Sequence, residues 1–297
     1  MGTGRKWKDR LAVAVMVAAT AMCIVLVFAL ALTLWAKSRP LLATRSLGHL
    51  LLSSSWHPLR GAFGFYPFVL GTLWVTALAM VFSVPVSLLT AVYLAEYASS
   101  RVRSLAKPLV DLLAGIPPVL YGLWGVLAVV PLAAKLGARF AANTTGYSVL
   151  AGGIVLAIMV FPIIISVTEE VLRSVPQEAR EASLSLGATK WQTVKHVVFR
   201  SAVSGIAAAV CLGFSRAFGE TMAVLMVVGN VAKPPTSVFD PAYPLPALMA
   251  NNYGEMMSIP LYDSALLLAA LILFAVVVVF NILATLVLRR VERRMGQ

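Results

Sequence analysis

The sequence predicts an all-α integral membrane protein with six transmembrane helices, and two observations carry that prediction. Of its 297 residues, 60% are hydrophobic and only 12% are charged, against about 25% charged in a soluble domain. The apolar residues also gather into six long stretches, 11–35, 68–95, 110–134, 148–168, 201–228 and 264–288. Each can cross a hydrocarbon core of ~30 Å, which takes about 20 residues as a helix. None alternates apolar and polar residues in ~10-residue segments as barrel strands do, so the spans are expected to be helical.

Charge sets the expected topology. With the N-terminus in the cytoplasm, 16 of the 24 Lys and Arg fall inside, seven fall outside and Arg216 lies within a span. That asymmetry follows the positive-inside rule and places both termini in the cytoplasm. The net charge of +12 is then mostly topogenic. It makes no folded basic-aromatic patch, and no nucleic-acid partner is expected.

The first stretch follows Arg5, Lys6, Lys8 and Arg10, as a secretory signal would. Its run of about 25 residues exceeds an h-region of 7–15 and ends in WAKSRP without a small-residue cleavage pattern, so a retained span is expected. The connection at 36–67 carries WHPLRGAFGFYP. Trp56, Phe63, Phe65 and Tyr66 suit an interfacial belt or short re-entrant elements, or a docking surface. Span two holds Pro85 among Gly71, Thr72, Thr76, Ser83, Ser87 and Thr90. Such small and hydroxyl residues allow close helix packing and could equally line a polar path.

Span three opens with GIPPVLYG, where Gly115, Pro117 and Pro118 break a helix. Irregular backbone at membrane depth must be buried in protein or face a cavity, and transporter sites use such breaks; a simple kink is the alternative. Between spans four and five lies SVPQEAREASLSLGATKWQTVKHVVFR. Ser174 and Pro176 are start signals, Glu178 and Glu181 suit the positive end of a helix, and Gly187 is a stop signal. Thr189 can cap a second helix carrying Trp191 and Val194. Two short helices joined at Gly187 on the inner membrane surface are expected, as a lever or as an ordinary amphipathic connector. The connection at 229–263 has five prolines between Pro234 and Pro246. It cannot be one regular helix, and is either a lid or partner-binding loop or a passive surface loop.

Cys23 and Cys211 lie in spans and read as small buried hydrophobes, with no disulfide framework or metal spacing. No polar connection is long enough for a separate soluble domain. The chain therefore reads as a single transmembrane domain, 1–297, with its core at about 66–288.

Arg216 and Glu220, in SRAFGETMAV, are the only charged residues in the interior of the six stretches, Asp111 standing at the very edge of the third. A charge at bilayer depth costs ~2.5–3.5 kcal/mol on insertion scales. Their i,i+4 spacing puts them on one helix face, where they can pair. Two roles fit. Arg216 could contact an anion in a path, with Glu220 as its counter-ion and Thr221 beside them. Alternatively the two form a fixed structural ion pair.

Glu181-Ala182-Ser183, with Gly187 four residues past Ser183 and Val197, Phe199 and Arg200 at its end, resembles the EAA loop of ABC importer permeases. Ser183 replaces the family's second Ala, and Arg200 stands where the family has Pro. WHPLRGAFGFYPFVLGTL, GIPPVLYG and SRAFGETMAVLMVVGN are similar to the phosphate-import permeases, the PstC type more than its PstA-type sister. That resemblance covers roughly 56–230. It implies a type I ABC importer permease fold and a subunit that passes inorganic phosphate. It implies four further parts: a second, PstA-like permease, two PstB-like ATPase subunits and a PstS-like extracytoplasmic binding protein. In it the loop at about 174–200 couples to the ATPase through Glu181, Ala182, Gly187 and Trp191, with Leu184 and Leu186 beside them.

The chain has no G-x-x-x-x-G-K-[ST] motif. No cofactor of its own is expected, with ATP and Mg used by the partner ATPase, and the chain reads as a transport subunit of a prokaryotic cytoplasmic membrane rather than an enzyme. A membrane-embedded enzyme is disfavoured because His49, His57 and His196 lie outside the spans, which lack paired catalytic carboxylates. The alternatives that stay open are the sister subunit, a permease for sulfate or molybdate, and an ion-coupled secondary transporter.

Overall fold

The computed structural model describes residues 3–140, 144–255 and 259–295. Six helices are long and apolar enough to cross a membrane: Lys8–Thr44, Tyr66–Tyr97, Pro118–Gly137, Val149–Ser174, Lys190–Phe218 and Tyr262–Leu286. The six expected spans are therefore present, but the first runs on to Thr44, the fourth runs on to Ser174, and two more have different limits. The third starts at Pro118, because residues 110–115 belong to a separate helix before the GIPP break. The fifth starts at Lys190 and stops at Phe218, ten residues before the apolar run ends.

In chain order the helices are α1 (Thr3–Thr44), α2 (Leu47–Leu52), α3 (Tyr66–Val92), α4 (Ser100–Gly115), α5 (Pro118–Trp124), α6 (Val130–Gly137) and α7 (Val149–Ser174). They are followed by α8 (Gln177–Ser185), α9 (Lys190–Thr193), α10 (Phe199–Phe218), α11 (Met222–Val227), α12 (Leu245–Asn252) and α13 (Tyr262–Met295). Single π-turns at Tyr93–Tyr97, Gly125–Val129 and Val194–Val198 extend α3, join α5 to α6 and join α9 to α10.

The bundle is built on α7, the most buried span. α3 lies against it where Gly152 and Gly153 leave room: a Cβ there would come 3.3 Å from Val75 and 2.8 Å from Leu78. α10 lies on another face of α7, with Gly213 against Val160 and Ile164. Glycine at such crossings lets backbones approach, which replaces the hydrophobic drive that lipid cannot supply. α1 is exposed along residues 8–30 and joins the bundle at its far end, where Leu41 is buried and α1 meets α13.

At the end of the bundle where α3 and α13 begin, WHPLRGAFGFYP folds into a small hairpin. Strands β1 (Trp56–His57) and β2 (Ala62–Phe63) pair antiparallel, Trp56 opposite Phe63. The expected interfacial belt is not formed here. Phe63 and Phe65 are fully buried, and Trp56 packs on Phe63, Phe65, Phe68 and Tyr262 with ring centroids 4.8 to 6.3 Å apart. Only Tyr66 of the four expected aromatics is exposed.

The Pro-rich connection after α11 is pinned to this same end. Val227, Val238 and Asp240 offer carbonyls to the amides of Ser148, Leu150 and Val149, so the loop caps the start of α7. Thr72 of α3 accepts from Leu245 N–H at 2.9 Å where α12 begins. Burial pushes the Asp240 carboxyl up. The Thr236 hydroxyl and the Thr236 and Ser237 amides outweigh it and hold the group below the usual carboxylate range. The stretch at 256–258 of this connection lies outside the described residues.

Candidate functional site

Arg216 sits in the last turn of α10, where a cation complements the helix dipole. Its depth follows from the packing of Gly213 against Val160 and Ile164, level with the middle of α7. Three residues further along a helix is ~4.5 Å, so Arg216 stays close to that level. Ser201, Ala208, Leu212 and Arg216 form the exposed stripe of α10. The neighbouring face is taken up by Phe214 stacked on Phe280 and by Ser215, which donates to Asn281 Oδ1 at 3.2 Å.

The expected Arg216–Glu220 pair is not formed. α10 ends at Phe218 with Gly219 as its C-cap, so the two residues are not on one helix. Glu220 instead accepts the Ala223 N–H at 3.3 Å, the first turn of α11. A carboxylate there suits the positive end of the new helix. It also lines a small cavity with Thr72, Thr76 and Phe218, away from the exposed stripe. Thr221 closes the break by donating to Gly219 O at 3.3 Å. Among the described residues no carboxylate pairs with Arg216.

The GIPP segment separates two helices, as its residues imply. Gly115 is the last residue of α4, Pro117 is the N-cap and Pro118 the first residue of α5. Pro117 has no N–H for Leu113 O, four residues earlier. Tyr121 Oη donates to that carbonyl at 2.7 Å and stitches the break. Gly122 and Gly125 then let α5 close onto α11 and α7, a Cβ at Gly125 lying 2.7 Å from both Val155 and Val227. Gly115 has open space around it, so its place is a terminus and not a packing contact.

At the opposite end from the hairpin, α8 and α9 form an elbow. Gly187 has φ +82°. Its N–H donates to Leu184 O at 3.0 Å and Ala188 N–H to Ser183 O at 3.3 Å, the two bonds of a Schellman turn. Thr189 and Gln192 make a reciprocal capping box at the start of α9. The two helices joined at Gly187 are thus observed, with one correction: the second is no separate surface helix. It runs through its π-turn into α10, so Arg200 lies inside a continuous helix and changes no exit. Leu184, Leu186 and Trp191 are 47, 89 and 57% exposed. Glu181 lies on α8 and is held by Gln177 at 3.3 Å, with Ala182 beside it.

Sequence reasoning missed four charged residues under this elbow: Glu96, Arg103, Glu169 and Arg180. Arg180–Glu96 is a 2.9 Å ion pair with both side chains nearly buried, and Arg103–Glu169 is at 3.8 Å. Glu96 and Arg180 are 84 residues apart, and no local pattern links them.

Residues 83–297 match the profile of the binding-protein-dependent transport system inner membrane component. The chain belongs to that family. Among curated members, it is 35% identical to the phosphate transport system permease protein PstC of Xylella fastidiosa, over 82% of this chain and 79% of that protein. It is 33% identical to PstC of Mesorhizobium japonicum, over 94% of this chain and 89% of that one. Of solved structures, a bacterial ABC transporter that imports the acidic polysaccharide alginate superposes with a TM-score of 0.65 at 16% identity, covering 96% of this chain and 99% of its own. This family member therefore has the type I ABC importer permease fold and is a multi-pass membrane protein. The elbow at 174–200 leads into the helix that stops at the break at 219–221.

Proposed function

We propose that this chain is the PstC-type permease subunit of an ATP-driven importer that passes inorganic phosphate delivered by an extracytoplasmic binding protein. The observation that carries this is Arg216: a permanent cation near mid-depth, on an exposed stripe, with no carboxylate partner among the described residues. Lipid cannot cover such a group at low cost. A second permease subunit together with a water-filled path can, and a guanidinium there offers two parallel donors to phosphate oxygens. The PstC names of its relatives support phosphate as the cargo. Glu220 faces the Thr72–Thr76 cavity, and its proposed role is to hold the α10–α11 break open beside Arg216, with Thr221 closing that turn.

The remaining parts follow from the same reading. A PstA-like permease covers the Arg216 face, two PstB-like ATPase subunits meet the exposed Leu184, Leu186 and Trp191 of the elbow, and a PstS-like protein docks at the hairpin end. ATP and Mg are used by the ATPase, not by this chain. The lysine and arginine distribution supports both termini lying in the cytoplasm, and the bacterial relatives support a prokaryotic cytoplasmic membrane.

Arg216→Gln and Glu220→Gln, in complexes shown by size exclusion to be fully assembled, test the path. Arg216→Gln should abolish phosphate uptake, and Arg216→Lys should keep part of it. Normal uptake with both Gln variants would sink the proposal.

A further inference from the structure

The arginines under the elbow make contacts that mirror one another. α3 and α7 run in the same direction: Val75 packs on Gly152 near their starts, and Ala91, Leu172 and Val175 share one apolar cluster near their ends. Both helices therefore bring their unpaired terminal carbonyls to this end of the bundle. Arg103, on α4, donates to Leu94 O at 2.9 Å and Ala95 O at 3.1 Å, the end of α3, and reaches Glu169 on α7 at 3.8 Å, a carboxylate it shares with Arg173 of the same helix at 3.7 Å. Arg180, on α8, donates to Leu172 O at 2.8 Å, to Val175 O and to Pro176 O at 3.3 Å, the end of α7, and reaches Glu96 on the π-turn that extends α3. Each arginine caps one span and pairs with a carboxylate on the other.

The two arginines sit on different elements, α4 and α8. α4 leads through the Pro117–Pro118 break into α5. α8 is the first arm of the elbow and buries none of its own residues. It is held to the spans by polar contacts, and Arg180 makes most of them. An arginine whose side chain is 13% exposed, facing a carboxylate 9% exposed, is a stiff link. Separating the two strands a charge in a poorly solvated place, so the groups move together. The π-turn at Tyr93–Tyr97 ends α3 and carries Glu96 towards α8, and such turns often mark functional positions.

We propose that the Arg180–Glu96 pair, mirrored by Arg103–Glu169, is the joint through which movement of α8 reaches α3 and α7. These are positioning residues and touch no cargo. The joint rests on the reading of the chain as an ATP-driven importer subunit. Without it the elbow still binds and the ATPase still turns over, but the spans do not follow.

The test uses the complete complex in proteoliposomes, with ATP hydrolysis and labelled phosphate uptake measured on the same vesicles. Glu96→Gln should assemble, keep its ATP hydrolysis within about twofold, and lose about tenfold or more of the phosphate moved per ATP, within the range of coupling between sites. Arg180→Lys keeps the charge but loses the fork, and should fall between Glu96→Gln and wild type. In a background with Cys23→Ala and Cys211→Ala, Glu96→Cys with Arg180→Cys should be uncoupled until a bifunctional thiol reagent bridges them, and recoupled afterwards. A purely structural role would not give recoupling in one preparation. The joint is overturned by a wild-type ratio in Glu96→Gln, or by a bridged pair no better coupled than the unbridged one. Failure of wild-type vesicles to take up phosphate counts instead against the proposed cargo, and the joint is then read from coupled hydrolysis with the cargo they do carry.

Discussion

Gly187 is the residue on which the elbow geometry turns, and the structure separates two reasons for its being glycine. No atom lies within 4 Å of where a Cβ would sit, so a side chain has room. The backbone is the constraint: φ is +82°, a region that β-carbons disfavour. An L-residue forced there costs about 1–2 kcal/mol, a factor of roughly 5–30 in the population of the native turn. Asn tolerates this region by bonding locally, whereas Val does not. Gly187→Asn should therefore retain most ATP-coupled uptake, and Gly187→Val should reduce it by about the 5–30-fold just given. Gly187→Pro should abolish it, since it also removes the N–H bonded to Leu184 O. Thermal stability of the assembled complex should change little in the Asn variant and fall by no more than a few degrees in the Val variant, as a local cost of about 1–2 kcal/mol implies. The assay is labelled phosphate uptake per assembled complex. Equal damage from Asn and Val would refute the backbone argument, and so would full activity of Val.

Three further outcomes follow from the packing. Gly213→Leu pushes atoms into Ile164 and Val160, where a Cβ alone would come within 2.7 Å, and should cost about 1–3 kcal/mol or more of stability, read as a lowered melting temperature of the purified complex. Thr72→Val leaves the Leu245 N–H buried without its acceptor and should cost about 1–3 kcal/mol, seen as faster hydrogen exchange across 245–252. Asp240 has its folded-state pKa depressed, so its contribution is present above the unfolded value of about 3.9 and lost as pH falls through the lower folded value. Exchange of the Val149 and Leu150 amides should rise below about pH 4, and in Asp240→Asn it should already be raised at neutral pH and insensitive to acid.

The parts of the fold legible in the sequence are those set by local signals. Hydropathy located six spans because each is one uninterrupted apolar run. The elbow was legible because Pro176, Gly187 and Thr189 act within four residues of themselves. The break at Gly219–Thr221 was not, since Met222–Val227 stays apolar and the run reads straight through; it is a capping event, decided by where Glu220 points. The start of α5 was misplaced for the same reason, residues 110–115 being apolar enough to join the span across Pro117 and Pro118. The buried hairpin aromatics depend on Tyr262, some 200 residues away from Trp56, and no window of sequence contains both. Arg180–Glu96 is invisible in the same way: Arg180 reads as one more inside-positive charge until α3 and α7 are seen to end together.

The most direct measurement of the central claim is uptake of labelled phosphate into proteoliposomes containing the complete complex, with ATP inside or outside. Uptake should require ATP on the elbow side and the binding protein on the hairpin side. Arsenate should compete, with little effect of sulfate, because only a protonated oxyanion can donate a hydrogen bond. Phosphate uptake without ATP, or equal competition by sulfate, would contradict that claim.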